Sequence, residues 1–442
     1  MACSAVRVPI LRNPSVRNYA AAAKAAQVSS PSSDHQVLAN KITCAALDNN
    51  SPIAQVSIVF KAGSRNETYE TQGITHLIRL AAGLTTSRSS TFGIIRNIQQ
   101  LGGNLFAAAD RESIAYTLQV TRNNLEKAFM FLEDTATRQV FKPWEISDME
   151  PRIRYDRGLA SNQTRLIEYL HKAAYRTGLG YSLIIPKRQI GKFSTEALQH
   201  HVNTWFTGSR CAVVGTGVPL NVLNSFASSL QLPSGNPTSS PSKYWGGEIR
   251  KERDSPLASV AIAVESAGFD KDKEALAFAV LQLAAGIGPQ VKWGNSVTPL
   301  QKAVGSAADG NPFAVAAFNA SYTDSGLFGV MIEAPSSIAG AVTKAAYKWM
   351  ASPNLTDADI NRGKVQLKTM ILDSADTQMG QLENLIEQTI YKGHPVSLAA
   401  LAAEVDNISA ADVKKVAGKL SGKPSMAAFG NLSTVPHVDQ LS

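Results

Sequence analysis

The chain has 442 residues, more than one hydrophobic core usually organises, and its 44% hydrophobic and 18% charged residues make a globular composition. The longest apolar candidate, ALAFAVLQLAAGIG, is too short and too rich in Ala and Gly for a membrane-spanning helix. Half of the formal charge of +8 comes from Arg7, Arg12, Arg17 and Lys24, all ahead of the first acid, Asp34. The strongest basic run beyond them, Arg250 to Arg253, contains its own acid, so a nucleic acid is not an expected partner.

The stretch MACSAVRVPILRNPSVRNYAAAAKAAQ has spaced arginines, small residues and no acid, the pattern of a mitochondrial transit peptide; the plain alternative is a disordered basic tail. Residues 1–19 are assigned to it, with a cut near Tyr19 and Ala20. Cys3 would leave with that segment. Cys44 and Cys211 lie far apart with no CxxC, which points to two buried thiols and not to a disulfide or a cysteine metal site.

Strand VSIVF puts Val56, Ile58 and Phe60 on one face, and the turn AGSRNE leads to a helix opened by Gly73. ESIAYTLQV is a second alternating strand through Tyr116, Leu118 and Val120, followed by a helix with Leu125, Ala128, Phe129 and Leu132 on one stripe. The order then recurs. LASVAIAVESAG alternates through Val260, Ile262 and Val264, KEALAFAVLQLAAG is a helix, and SGLFGVMIEAP is a strand through Phe328, Val330 and Ile332. A helix with Ile338, Ala341, Val342, Ala345 and Trp349 follows. Both halves close with a helix, a basic Gly/Ser turn and an apolar strand running into Gly: HHVNTWFTGSRCAVVGTG and DVKKVAGKLSGKPSMAAFGNL.

An offset of roughly 200 to 215 residues suits a duplicated domain better than a solenoid repeat. The expected fold is α+β, with two homologous domains of helices layered on a sheet. The domains run over 36–228 and 257–442, with a Pro/Gly/Ser-rich linker at 229–256.

Within QGITHLIRLAAG, His76 is followed at three and four residues by Arg79 and Leu80. In the order H-x-x-E-H, two histidines one turn apart hold zinc and the Glu activates water. Here guanidinium cannot act as a base and leucine has no lone pair for a metal. His76 is expected to be a packed or hydrogen-bonded histidine without metal. His171 likewise reads as packed, and His200 and His201, being adjacent on a helix, point in different directions. AVVGTGVP lacks the third glycine of a dinucleotide fingerprint, with Leu220 in its place.

FKAGSRNE, GITHLIRLAAGLTT, ESIAYTLQV, YLHKAAYR, NASYTDSGLFGV and KPSMAAFGNL, in that order from about residue 36 to the end, resemble the pitrilysin-type (inverzincin) metallopeptidase family. Within it the resemblance is to the non-catalytic mitochondrial branch that forms the core subunits of the cytochrome bc1 complex. It implies two α+β domains, each mainly an antiparallel sheet layered with helices, and a third ligand roughly seventy-odd residues past the motif. EPRIRYDRGLA falls there, with Arg154, Asp156 and Arg157 as candidates and Asp156 as the sole carboxylate among them. The degenerate motif positions are thus His76, Arg79, Leu80 and Asp156, with no catalytic or metal-binding residue.

The resemblance further implies a structural subunit, peripheral on the matrix side of the mitochondrial inner membrane, paired with core protein 1 and other bc1 subunits in a dimeric multi-subunit complex. It implies no cofactor on this chain, since haems and the iron–sulfur cluster belong to partners. One alternative is the non-catalytic partner of a mitochondrial processing peptidase. That reading would want a long Gly-rich loop, and GIGPQVKWGNSV, interrupted by Pro289, Lys292 and Trp293, is a poor match. Another is a presequence peptide held in an inter-domain cavity, for which Glu67, Glu70, Asp110 and Glu112 are candidate acids and solvated loop charge the default.

Overall fold

The computed structural model describes residues 33–288 and 298–441. The transit-peptide assignment and residues 289–297 of the Gly286–Val297 loop lie outside them.

The first half builds a six-stranded sheet from β1 (Ser33–Val37), β2 (Thr43–Leu47), β3 (Ile53–Phe60), β4 (Asn104–Ala109), β5 (Ile114–Thr121) and β6 (Cys211–Thr216), in the order β1-β2-β6-β3-β5-β4. The second builds a five-stranded sheet from β7 (Gly247–Glu252), β8 (Leu257–Ser266), β9 (Ala314–Ser321), β10 (Gly326–Pro335) and β11 (Ser425–Gly430), in the order β7-β11-β8-β10-β9. With β1 set aside the two orders superimpose strand for strand. In each sheet a single parallel pair, β2–β6 or β7–β11, sits in an otherwise antiparallel ladder. Val56 faces Leu118 and Ile58 faces Tyr116 in one half, as Ile262 faces Val330 and Val260 faces Ile332 in the other.

β7 lies inside the stretch read from sequence as linker. Its sequence GEIRKE carries no apolar alternation because it is an edge strand with partly exposed side chains. Backbone pairing with β11 holds it in place, which charged side chains do not prevent. Within that stretch, residues 230–246 and 253–256 have no regular structure.

Each sheet buries both faces, by different means. One face of the first sheet, through Val56, Ile58, Phe60, Tyr116 and Leu118, packs on the half's own helices, including Ile74, Leu77 and Ile78. Val260, Ile262, Val264, Phe328 and Val330 do the same in the second half against Phe278, Leu281 and Val342. The opposite faces are covered reciprocally. Helix Asn162–Tyr175, from the first half of the chain, lays Leu166, Leu170, Ala174 and Tyr175 on Ala261, Ala263, Ala427 and Phe429 of the second sheet. Helix Gln378–Tyr391, from the second half, lays Leu382, Leu385 and Ile390 on Ala45, Val59, Ala212 and Val214 of the first. The alanines on these strand faces let the helices approach closely. Burying three or four large side chains in each crossing contributes on the order of 5–10 kcal/mol of transfer free energy before ordering costs.

A polar seam runs between the halves. Arg65 donates to Glu112 and to both carboxylate oxygens of Asp324, while Glu112 accepts from the Thr323 amide at 2.9 Å and hydroxyl at 3.0 Å. Tyr175 and Ser325 share a hydrogen bond of 3.0 Å. Among the described residues no helix is long and apolar enough to cross a membrane.

Candidate functional site

The motif helix, Ile74–Leu80, starts at Gly73, whose φ of 90° lies in the left-handed region. A Cβ there would stand 2.6 Å from the Ile185 side chain, so only glycine fits. The helix offers no N-cap side chain of its own. Glu67 supplies the missing acceptors, taking hydrogen bonds from the amides of Gly73 at 2.8 Å and Thr75 at 3.0 Å. Burial pushes the Glu67 carboxyl up to about 7, against the pull of those hydrogen bonds.

His76 is buried, and both ring nitrogens are committed. The amide of Ile185 donates to Nδ1 at 3.2 Å, which leaves the ring proton on Nε2, donated to Asp156 Oδ2 at 2.7 Å. Arg79 Nη2 donates to the same oxygen, also at 2.7 Å. Burial holds the His76 pKa below its ordinary value; the Asp156 hydrogen bond opposes this and the Arg79 charge adds to it. The imidazole is therefore neutral at physiological pH. For Asp156 burial is the largest influence and raises the pKa, but His76 and Arg79 together outweigh it and hold the carboxyl below its ordinary value.

Asp156 sits on helix Glu150–Leu159, where Ile153 alone is fully buried. Of the three candidates in that stretch it is the one that meets His76. Arg154 turns away to pair with Glu150 at 3.2 Å, and the Arg157 carbonyl accepts from Arg165. Leu80 is 4% exposed, packed into the first-half core.

These residues do not fit a hydrolytic zinc ion. Such a site needs three protein donors and an open position for water. Here two donors are hydrogen-bonded to each other, a guanidinium bonds the same carboxylate oxygen as the imidazole, and Leu80, packed in the core, has no lone pair to offer. Among the described residues no group of three or more His, Cys, Asp or Glu is placed to hold a metal.

His171 and His201 are buried as well. The His171 Nδ1–H donates to the Ile167 carbonyl at 2.8 Å, and Nε2 accepts from Tyr322 across the seam at 2.7 Å. Burial, then the nearby Arg111, holds its pKa well below the ordinary value. His200 is exposed and His201 buried, as adjacency on a helix requires, and burial brings His201 down to about 4. Of the four acids weighed as peptide contacts, Glu67 caps the motif helix and Glu112 joins the seam. Glu70 and Asp110 are exposed. Sequence reasoning missed Ile185, whose amide fixes the His76 tautomer, and the buried pair of Arg111 with Glu168.

Residues 43–187 match the insulinase family (peptidase family M16), and residues 192–367 match the peptidase M16 inactive domain. Cytochrome b-c1 complex subunit 2, mitochondrial, of Mus musculus is 39% identical over 412 residues, covering 91% of each chain, and the Homo sapiens protein is 39% identical over 413. The chain belongs to family M16. Among its M16 relatives, the mitochondrial-processing peptidase subunit alpha of Solanum tuberosum is more distant, 27% identical over 92% of this chain and 83% of its own length. In fold, the M16 chain is similar to one in the structure of complex III2 from Candida albicans with Inz-5 bound, with a TM-score of 0.78 and 18% identity over 92% of this chain and 98% of that one. The M16 division falls ahead of helix Thr195–Trp205 and β6, although β6 completes the first sheet in space.

Proposed function

We propose that this chain is a structural core subunit of the mitochondrial cytochrome bc1 complex, the counterpart of subunit 2. There it supports assembly and stability of the machinery that passes electrons from ubiquinol to cytochrome c. The observation that carries this is the 39% identity with cytochrome b-c1 complex subunit 2 over nine-tenths of both chains. The processing-peptidase subunits stand at 26% to 28%.

In this reading the chain is not an enzyme, and His76, Arg79, Leu80 and Asp156 are what remains of an M16 zinc site. The hydrogen-bonded cluster ties helix Glu150–Leu159 to the motif helix and so keeps mechanically what a metal would otherwise hold. The chain binds no cofactor of its own; haems and the iron–sulfur cluster reside on partners, core protein 1 among the neighbouring subunits. Its place is peripheral, on the matrix side of the inner membrane. The interlocked halves suit a scaffold, because neither can move without dragging a helix off the other's sheet.

The test is a native gel of mitochondria solubilised in mild detergent, probed for this chain and for b-type haem absorbance. Migration with the haem band in a complex of several hundred kilodaltons is expected. A haem-free band the size of two such chains would overturn the proposal in favour of a processing-peptidase partner.

A further inference from the structure

The two sheets match strand for strand except in one place. β2 and β7 are equivalent, each being the parallel partner of the strand that closes its half, β6 or β11. β2 carries β1 on its outer side, antiparallel, with Ser33 facing Leu47 and Val37 facing Thr43. β7 has no such strand and is the edge of its sheet.

That edge is open along the backbone. The Arg253 amide donates to the Gly430 carbonyl, so residues 249, 251 and 253 address β11. By strand alternation Glu248, Arg250 and Glu252 turn their N–H and C=O groups the other way. Water satisfies such groups on any edge; β7 also has a built space beside it. A groove of about 780 Å³ is walled by the side chains of Arg250 and Glu252, by Lys344 of helix Ala339–Ala351, and by Ser433, Thr434 and His437 of the C-terminal segment. Arg250 fixes that far wall, donating to the carbonyls of Leu432, Val435 and Pro436 at 3.2, 2.9 and 3.0 Å. Alternate side chains of a strand added to β7 enter this groove, which is how strand addition gains specificity beyond main-chain pairing. Charge on an edge deters indiscriminate pairing, and here it sets a pattern. Glu248, Arg250 and Glu252 share one face and call for base, acid and base at alternate positions of the incoming strand. That strand need not be apolar, since β1, SDHQV, is itself largely exposed.

We propose that β7 takes an extended segment of a partner subunit as an added antiparallel strand, in the place β1 fills on the first sheet, with basic residues opposite Glu248 and Glu252. The inference rests on the reading of the chain as a subunit of a larger complex.

The experiment puts the photoreactive residue p-benzoylphenylalanine at position 344 of the full chain, in place of Lys344, and irradiates the assembled complex. The adduct is expected on a segment of another subunit that carries the base–acid–base alternation. Glu252→Pro removes an outward N–H while sparing the bonds to β11, and should cut the adduct at least about tenfold. The amides of Glu248, Arg250 and Glu252 should also exchange at least about a hundredfold more slowly in the complex than in the free chain. Adducts confined to this chain or to a second copy of it, an adduct indifferent to Glu252→Pro, or amides that exchange alike in both states would each overturn the proposal. The same samples are run on the native gel. Any of those results with b-type haem comigrating refutes the added strand alone, whereas loss of haem comigration in the wild type refutes the bc1 reading.

Discussion

Replacing Leu382 by Ala tests whether the two halves are one folding unit. Leu382 is fully buried, lies in the second half of the sequence, and packs on Ala45, Val59, Ala212 and Val214 of the first sheet. Leucine-to-alanine changes in cores cost about 2–5 kcal/mol, and most where the surroundings cannot close on the cavity. Here the neighbours are short side chains on β2, β3 and β6, strands that are paired on both sides. They have little freedom to move in, which places the cost at about 3–4 kcal/mol. For amides that exchange only on global opening, this is a fall of two to three orders of magnitude in protection. The assay is native-state hydrogen exchange, read peptide by peptide. The fall should extend to Thr43–Leu47 and Cys211–Thr216, and equally to β8 and β10 in the other half. Faster exchange confined to helix Gln378–Tyr391, with the strands untouched, would refute the reasoning.

Asp156→Asn should cost about 1–2 kcal/mol at neutral pH, since two partners lose a partly exposed charged acceptor. The carboxyl is held below its ordinary value, so its contribution is present above the unfolded value and is lost as pH falls through the lower folded one. The wild type should therefore lose its advantage over the variant below about pH 4, in denaturant melts at each pH. Glu67 carries the opposite sign. Its carboxyl is raised to about 7, so wild-type stability should fall between about pH 4.5 and 7 by roughly 2–4 kcal/mol relative to Glu67→Gln; parallel curves would show that the carboxyl is not buried as described. Arg65→Met strips a cation from Glu112, whose side chain is 7% exposed, and should cost about 3 kcal/mol in urea melts. Adding Glu112→Gln should recover part of that loss, and a strictly additive double variant would separate the two residues.

The duplication was legible because alternation and helical spacing recur with the same punctuation in both halves. Asp156 was singled out as the one carboxylate among three candidate positions, and it is the one that meets His76. The contacts that hold them were less legible. The amide of Ile185 has no signature, since any residue but proline supplies an N–H. β7 escaped because an edge strand paired through its backbone can be charged throughout. The helices Asn162–Tyr175 and Gln378–Tyr391 announce an apolar stripe, yet a stripe does not say which sheet it covers. A clue lay in β8 and β6, whose runs ASVAIAV and CAVVG are apolar at nearly every position. A strand solvated on one face alternates; these two needed a cover on both. Glu67 and Glu112 looked like loop charge and are buried instead, each satisfied by donors distant in sequence or hidden in a turn.

The crossed helices also set a schedule for the nascent chain. β6 completes the first sheet at Thr216, but the helix that roofs its outer face begins at Gln378 and ends at Tyr391. At ordinary translation speeds the interval is on the order of ten to thirty seconds. Throughout it a strip of Ala45, Val59, Ala212 and Val214 stands open to any other apolar surface, and helix Asn162–Tyr175 waits with Leu166 and Leu170 for a sheet not yet made. What locks the finished molecule thus leaves the unfinished one adhesive until Tyr391 has been added.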